Sequence, residues 1–294
     1  MLVPIVRAAA EQYPELDITM LSQQRFADLF AGMPDNVHFH GVDTKKMSLH
    51  EIAASLDSYD LVADMHSVIR SVYVSAAMIF KGARVATIDK GRYDKRQLTH
   101  GKHTPLKRTI DRYSDVLAAL GYPIRPQAIG KPSPGEGIGI APFAAHKGKI
   151  YPIERMEQVV KMLSERGEHV VLFGGGKKEK EILGAWAKKY PNVKSVAGKH
   201  SMAEELELMR GLRVMLTMDS GNMHLASMVG TRVVSIWGAT HPYAGFLGFG
   251  QHEKDCIQRD LECRPCSVYG NKPCKFGDYR CMDISPQEIV QHLL

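Results

Sequence analysis

Asp219-Ser220-Gly221-Asn222-Met223-His224 stands where an apolar run, Val214 to Met218, gives way to a helical pattern lasting to Val229. A helix N-terminus presents unpaired N–H groups and partial positive charge, a natural seat for phosphate. Ser220 and Gly221 would supply backbone donors there, and Asp219 could accept hydrogen bonds from sugar hydroxyls. His224, one turn further on, could donate to a phosphate oxygen. An aspartate helix cap beside a surface histidine is the plainer alternative for the same residues. A second loop, Ala141 to Pro152, follows the strand candidate Ile138 to Ala141 and carries Lys149. Its ammonium could neutralise a departing diphosphate; the alternative is a solvated basic loop. Gly174-Gly175-Gly176 after the run His169 to Phe173 is a glycine turn that could pass near a base or ribose, and it contains no GxGxxG pattern.

The first half holds a second set of candidates. Asp64-Met65-His66-Ser67 follows the apolar run Leu61 to Ala63, and Arg70 lies a turn beyond. Asp64 and His66 could face an acceptor, or Asp64 or Ser67 could cap a helix. Residues 89–104 interrupt the regular pattern and read as a basic loop with Lys90, Arg92, Lys95, Arg96 and Lys102, able to grip an acidic acceptor. All five cysteines fall between Cys256 and Cys281, so they form one local feature rather than a chain-wide disulfide framework. Cys263-x2-Cys266-x7-Cys274-x6-Cys281 has spacing that permits a structural four-thiolate zinc site. Buried free thiols and reversible disulfides are the alternatives.

The elements that must position these residues follow from periodicity. In the second half, β-branched runs at 138–141, 169–173, 193–196, 214–218 and 232–237 alternate with amphipathic helical patterns. Ser201-Met202-Ala203-Glu204 reads as a capping box, and Gly230 as a helix stop. Strands without polar alternation, separated by helices, mean a parallel sheet covered on both faces: a doubly wound α/β domain. The first half repeats the rhythm less cleanly, with strand candidates at 16–21, 37–40, 61–63 and 84–88 and a helix from about 105 to 120. It opens on a helix carrying Pro4, Val6, Ala9, Ala10 and Tyr13, with no strand before it. Gly130-Lys131-Pro132-Ser133-Pro134-Gly135 is the strongest linker, which sets the expected domains at 1–132 and 133–294.

Composition narrows the classes. With 294 residues, 44% hydrophobic and 24% charged, the chain suits two globular domains rather than a disordered segment. No apolar run approaches the roughly 20 residues that span a bilayer, and the first residues lack a basic, apolar secretory signal. The net charge of +6 is spread along the chain, unlike the clustered footprint of a nucleic-acid binder. It is compatible with an anionic substrate or with attraction to an anionic membrane surface.

Asp219-Ser220-Gly221-x-x-His224-Leu225-Ala226, followed by Gly230, the strand Val233 to Gly238 and Thr240-x-Pro242, resembles the signature of the heptosyltransferase family, glycosyltransferase family nine. Lys149-x-aromatic-Pro152 resembles its second block. Asp64-x-His66, Pro4 to Ala8 and Tyr13-Pro14 resemble its first-domain pattern, and Cys263-Arg264-Pro265-Cys266 with Cys281-Met282 resembles the Cys-rich tail of some members. The resemblance implies a GT-B architecture, two Rossmann-like domains facing a cleft, the second holding a nucleotide sugar and the first an acceptor. It implies metal-independent, inverting transfer of a heptose from ADP-heptose to an anionic lipopolysaccharide-core or glycolipid acceptor, in the cytoplasm, with peripheral contact at the inner membrane face. Carried over, Lys149 would bind donor phosphates, Asp219 sugar hydroxyls, and Ser220, Gly221 and His224 the diphosphate. Asp64, His66, Arg70 and Arg92 would lie on the acceptor side. Family members open on a strand and a Gly-Asp turn whose aspartate serves as general base. This sequence starts after that point, which leaves the base unassigned and Asp64 its one substitute. The competing expectations are a GT-B enzyme using a UDP-sugar, transferase or epimerase, and a catalytically silent nucleotide-sugar binder.

Overall fold

Continuous apolar runs become the inner strands of one parallel sheet in the second half of the chain. The computed structural model describes residues 1–127 and 135–294, so the linker expected at 130–135, apart from Gly135, and the boundary at 132/133 lie outside the described residues. The chain divides into two units, one of residues 1–92 and 107–127, the other of residues 93–106 and 128–294.

In the first unit α1 (Leu2–Gln12) buries Val3, Ile5, Val6 and Ala8 to Ala10. The strands β1 (Ile18–Gln23) and β2 (Val37–Val42) pair in parallel. After α2 (Leu49–Ala54), capped by Ser48 and Glu51, β3 (Leu61–Asp64) leads into α3 (Ile69–Phe80) and pairs in parallel with β4 (Arg84–Thr87). The expected single doubly wound sheet is thus two separate parallel pairs among the described residues. These strands are only partly buried, which is why their sequences show the rhythm so faintly.

The expected basic loop after β4 contains a helix, α4 (Arg92–Leu98). Its core-facing residues are Lys95 and Leu98, and Lys95 places its ammonium 4.5 Å from the Phe246 ring centre. Its two apolar residues, Tyr93 and Leu98, stand five apart, which gives no helical period to read. α5 (Thr109–Ala119) closes the first unit.

The second unit holds six parallel strands in the order β10-β9-β8-β5-β6-β7. They are β5 (Ile138–Ala141), β6 (Val170–Leu172), β7 (Val193–Ser195), β8 (Val214–Met218), β9 (Arg232–Trp237) and β10 (Cys256–Gln258). The helices α6 (Ile153–Glu165), α7 (Lys177–Lys189), α8 (Met202–Arg210), α9 (Gly221–Met228) and α10 (Pro286–Leu293) connect and cover them. Ile138, Ile140, Leu172, Val214, Leu216, Val234 and Ile236 form the sheet's share of the core, with Met156, Val159, Leu163 and Ile289 packed from the helices.

The chain runs outward from β5 through β6 to β7, then returns to the other side of β5 with β8 and runs outward again. That reversal makes the β5–β8 pair the topological switch point, outside whose carboxyl ends ligands bind in open parallel sheets. Register sets Ala141 beside Thr217, so the loop bearing Lys149 and the turn bearing Asp219 leave the sheet as neighbours.

Candidate functional site at the switch point of the second unit

All five of the sequence-derived donor residues, Lys149, Asp219, Ser220, Gly221 and His224, lie at this sheet edge. Lys149 Nζ lies 2.8 Å from Asp219 Oδ2, and both side chains are largely buried, 15% and 4% exposed. The contact is short but lacks hydrogen-bond alignment, since Asp219 Oδ2 has no hydrogen-bond partner. Lys149 is held from behind: a Cβ built on Gly270, at φ +73°, would sit 2.6 Å from Lys149 Cγ, so only a glycine lets that loop cover the lysine stem. The Lys149 turn is fixed to the sheet edge by the Ala239 N–H donating to the Gly148 carbonyl at 2.8 Å.

Asp219 is not a helix cap. No side chain caps α9, and the Ser220 hydroxyl pairs instead with that of Thr217 at 3.1 Å. The first-turn N–H groups of α9 therefore keep their donors free of side-chain partners, beside the Lys149 cation. A Cβ on Gly221 would meet nothing within 4 Å, so there is open space beside the start of α9.

His224 is neither a surface histidine nor a cation. Its Nδ1 is buried without a partner. Burial, helped by the nearby Lys149 charge, lowers its pKa to about 3, so the ring is neutral at pH 7 and would donate to an oxygen through a single N–H. Thr240, in the turn after β9, has a buried hydroxyl that is likewise unpartnered. Of the five buried side-chain polar atoms without a partner among the described residues, three lie on this sheet edge, in Asp219, His224 and Thr240. Natively buried polar atoms are nearly always satisfied, so the concentration makes this edge the candidate site.

The glycine turn at 174–176 has no such capacity. Glu179 Oε2 accepts from the N–H groups of Gly175 and Gly176 at 2.8 and 3.3 Å, so the start of α7 is already capped by its own side chain.

The Cys-rich tail braces the turn after β9. All five cysteines are free, and among the described residues no group of three or more His, Cys, Asp or Glu side chains could hold a metal ion. Cys281 and Met282 sink into the core. Buried Arg264, overlooked in the sequence, donates to the carbonyls of Gly238 at 2.5 Å, Thr240 at 2.9 Å and Trp237 at 3.1 Å, and to that of Arg259. It thereby ties the turn after β9 in place. The signal for it, an arginine between two cysteines, carried no hint of burial.

In the first unit Asp64 is a loop anchor. Its Oδ1 accepts from the N–H groups of His66 and Ser67 at 2.8 Å each, and its Oδ2 accepts the Ser71 hydroxyl at 3.0 Å. With three hydrogen bonds accepted and 4% exposure, Asp64 has the geometry of the turn-holding alternative. Ser67, at φ +48°, offers its carbonyl to Lys90 Nζ at 3.3 Å and Arg92 at 3.1 Å. Burial, followed by the Arg92 charge, lowers the Lys90 pKa. His66 and Arg70 are exposed. Lys90, Arg92 and the 64–67 turn are thus brought together.

Two α/β units built on parallel strands, the second with a phosphate-suited switch point, define a fold of the GT-B class. A Veillonella parvula glycosyl transferase family 9 structure aligns over 99% of this chain and 91% of its own, with TM-score 0.73 and 18% identity. The E. coli heptosyltransferase WaaC with ADP aligns over 85% and 87%, with TM-score 0.65 and 17% identity. An iron-containing dodecameric glycosyltransferase, TibC from enterotoxigenic E. coli, aligns over 100% and 72%, with TM-score 0.57 and 13% identity. Lipopolysaccharide heptosyltransferase 1 of Pseudomonas aeruginosa is 25% identical over 71% of this chain and 62% of its own length. Lipooligosaccharide heptosyltransferase 2 of Campylobacter jejuni is 23% identical over 53% and 50%. The matched regions thus span about half to three-fifths of these two relatives. The family model for glycosyltransferase family 9 (heptosyltransferase) matches residues 49–276, and the chain belongs to that family.

Proposed function

We propose that the protein is an inverting glycosyltransferase that moves a heptose from an ADP-sugar to a lipopolysaccharide-core acceptor at the cytoplasmic face of the membrane. The observation that carries this reading is the Lys149–Asp219 pair beside the open, uncapped start of α9. In the proposed complex the diphosphate lies against the N–H groups of Ser220, Gly221 and Asn222. Lys149 swings from Asp219 toward the phosphates, which its unaligned contact allows. Asp219, released, accepts from sugar hydroxyls, and neutral His224 donates to a phosphate oxygen. As the bond from the anomeric carbon to the diphosphate breaks, negative charge grows on the leaving oxygen, where a preorganised cation and helix dipole stabilise it most. That placement puts positive charge at the leaving group from the chain's own residues. The WaaC structure was solved with ADP, which supports the choice of nucleotide.

The acceptor reading rests on the Lys90–Arg92 cluster around Ser67, a cationic rim suited to an anionic glycolipid. The general base is left without a residue, because Asp64 is buried and already accepts three hydrogen bonds that hold its turn. Iron, named for TibC, finds no matching donor set among the described residues here, and no step is routed through a metal.

The test is calorimetric titration with ADP and UDP, followed by a transfer assay with ADP-heptose and heptose-deficient lipopolysaccharide. ADP binding with transfer is expected. Preference for UDP would move the protein to another GT-B activity, and ADP binding without transfer would make it a binder.

A further inference from the structure

α3 of the first unit packs on its neighbours with one face and leaves the other bare. Val74, Ala77 and Met78 turn inward with Leu56, Val62 and Ala83. Outward stand Ile69 at 85% exposure, Val72, Tyr73, Ile79 and Phe80 at 92%, with Ala76 between them. At 100° per residue these six fall in a single stripe, and no polar side chain interrupts it. Isolated exposed apolar residues are ordinary, but a contiguous set on one helix marks a surface that meets something apolar.

Charge identifies the occupant. From residue 65 to residue 88 the chain carries Arg70, Lys81 and Arg84 and no acidic residue. Lys90 and Arg92 gather at the start of the same helix through the Ser67 carbonyl. Lys81 stands at its far end, reaching the Leu56 carbonyl at 2.7 Å. The exposed acids Asp57 and Asp60 lie on the loop at that far end, and exposed Asp89, beside Lys90, is paired with Arg112 at 3.2 Å, so Arg70, Lys90 and Arg92 leave the N-terminal half of the stripe net basic. An apolar helical face edged by arginine and lysine is the pattern of segments that lie in the interface of an anionic bilayer. A second copy of the chain fits less well. Antiparallel pairing of two such faces would bring Arg70 against the partner's Lys81. A 12-residue helix, about 18 Å long, also offers only a few hundred Å², against the roughly 800 Å² per partner of a stable interface.

We propose that this face of α3 docks the protein on the anionic lipid surface of a membrane, Ile69, Tyr73 and Phe80 entering the acyl boundary while Arg70, Lys90 and Arg92 meet lipid phosphates. The inference rests on the membrane-face placement proposed above and shares Lys90 and Arg92 with its acceptor rim; it uses no donor-site residue, so vesicle binding and ADP binding can fail separately.

The experiment is co-sedimentation of the full chain with phosphatidylethanolamine–phosphatidylglycerol vesicles and, in parallel, with phosphatidylcholine vesicles. The Ile69→Glu/Phe80→Glu double variant and Arg70→Glu accompany the wild type, with far-UV circular dichroism and ADP affinity as checks on folding. Expected are binding to the anionic vesicles, a loss of tenfold or more in the double variant, and a several-fold loss in Arg70→Glu or at high salt. The proposal is overturned if wild type and double variant partition equally, or if neither vesicle type is bound. Sedimentation velocity provides the remaining outcome: a wild-type dimer that the double variant abolishes would assign the face to self-association and likewise overturn it.

Discussion

Removing the ammonium of Lys149 should strand a buried carboxylate. The pair is 2.8 Å long, with Asp219 4% and Lys149 15% exposed in their side chains. Breaking a buried ion pair by deleting one partner costs about 3–5 kcal/mol. Because Lys149 retains some access to water, the lower end, about 3 kcal/mol, is the figure to use. In a unit of this size each kcal/mol lowers the melting temperature by about 2–4 °C, so Lys149→Met should melt about 6–12 °C below wild type. Methionine keeps a flexible stem against Gly270 and removes only the charge. Asp219→Asn leaves the lysine amine without its counter-ion but nearer water, and should cost less. In the double variant no charge is stranded, so most of the loss should return, giving a coupling of about 2 kcal/mol in a double-mutant cycle. Urea denaturation followed by circular dichroism provides all four corners. ADP affinity should stay low in the double variant even as stability recovers, since the cation proposed to bind phosphate is gone. Additive single effects, with zero coupling, would refute the buried pair as the site's electrostatic centre.

Gly270→Ala should weaken ADP binding several-fold and destabilise by about 1–2 kcal/mol, because a Cβ there meets Lys149 Cγ at 2.6 Å from a left-handed backbone; calorimetry and thermal melting check both. Timed alkylation read by mass spectrometry should label Cys274 first, since backbone N–H groups, that of Tyr279 foremost, lower its pKa. Cys256 and Cys281, whose pKa values burial pushes up to about 11, should label last; equal rates for Cys274 and Cys281 would contradict this. His224 and His241 are held neutral, with pKa values of about 3 and 4, in both cases chiefly by burial. The unfolded chain therefore binds more protons than the folded one between about pH 6.5 and those values. Stability should be full above pH 6.5 and fall as the pH drops through the window, by at most about 1.4 kcal/mol per pH unit for each histidine. His224→Gln should flatten that slope in urea midpoints measured from pH 7 to 4.5, and an unchanged slope would show the ring is not buried neutral.

The second unit was legible because its strands are buried on both faces. Runs such as Val214 to Met218 and Arg232 to Trp237 must then be apolar without alternation, and both are strands at those bounds. The Ser201 capping box and the Gly230 stop, at φ +87°, are local chemistry that needs no tertiary context. Elements whose exposure mixes their patterns were harder to read. α4 shows only Tyr93 and Leu98 as apolar residues, five apart, α10 lies behind a cysteine-rich stretch, and β10 is three residues long. At the site, Lys149, Asp219 and His224 could be named from their positions after strands. That Lys149 meets Asp219 depended on strand order, since only the β5–β8 adjacency brings residues 70 apart together. The state of His224 and the orphaned Thr240 hydroxyl are properties of burial, which spacing does not encode. Asp64 shows the converse: a short acid after a strand reads equally as a base or a turn anchor, and only its three hydrogen bonds decide.

Gly221 separates the central claim from folding. Its Cβ position opens on empty space, so Gly221→Leu should leave the fold unstrained and the melting temperature within about 2 °C of wild type, by the per-kcal scale used above. If the donor diphosphate rests against the start of α9, the new side chain occupies its place, and calorimetry should find ADP bound at least tenfold more weakly. A Gly221→Leu protein that binds ADP as tightly as wild type would place the nucleotide elsewhere and contradict the account.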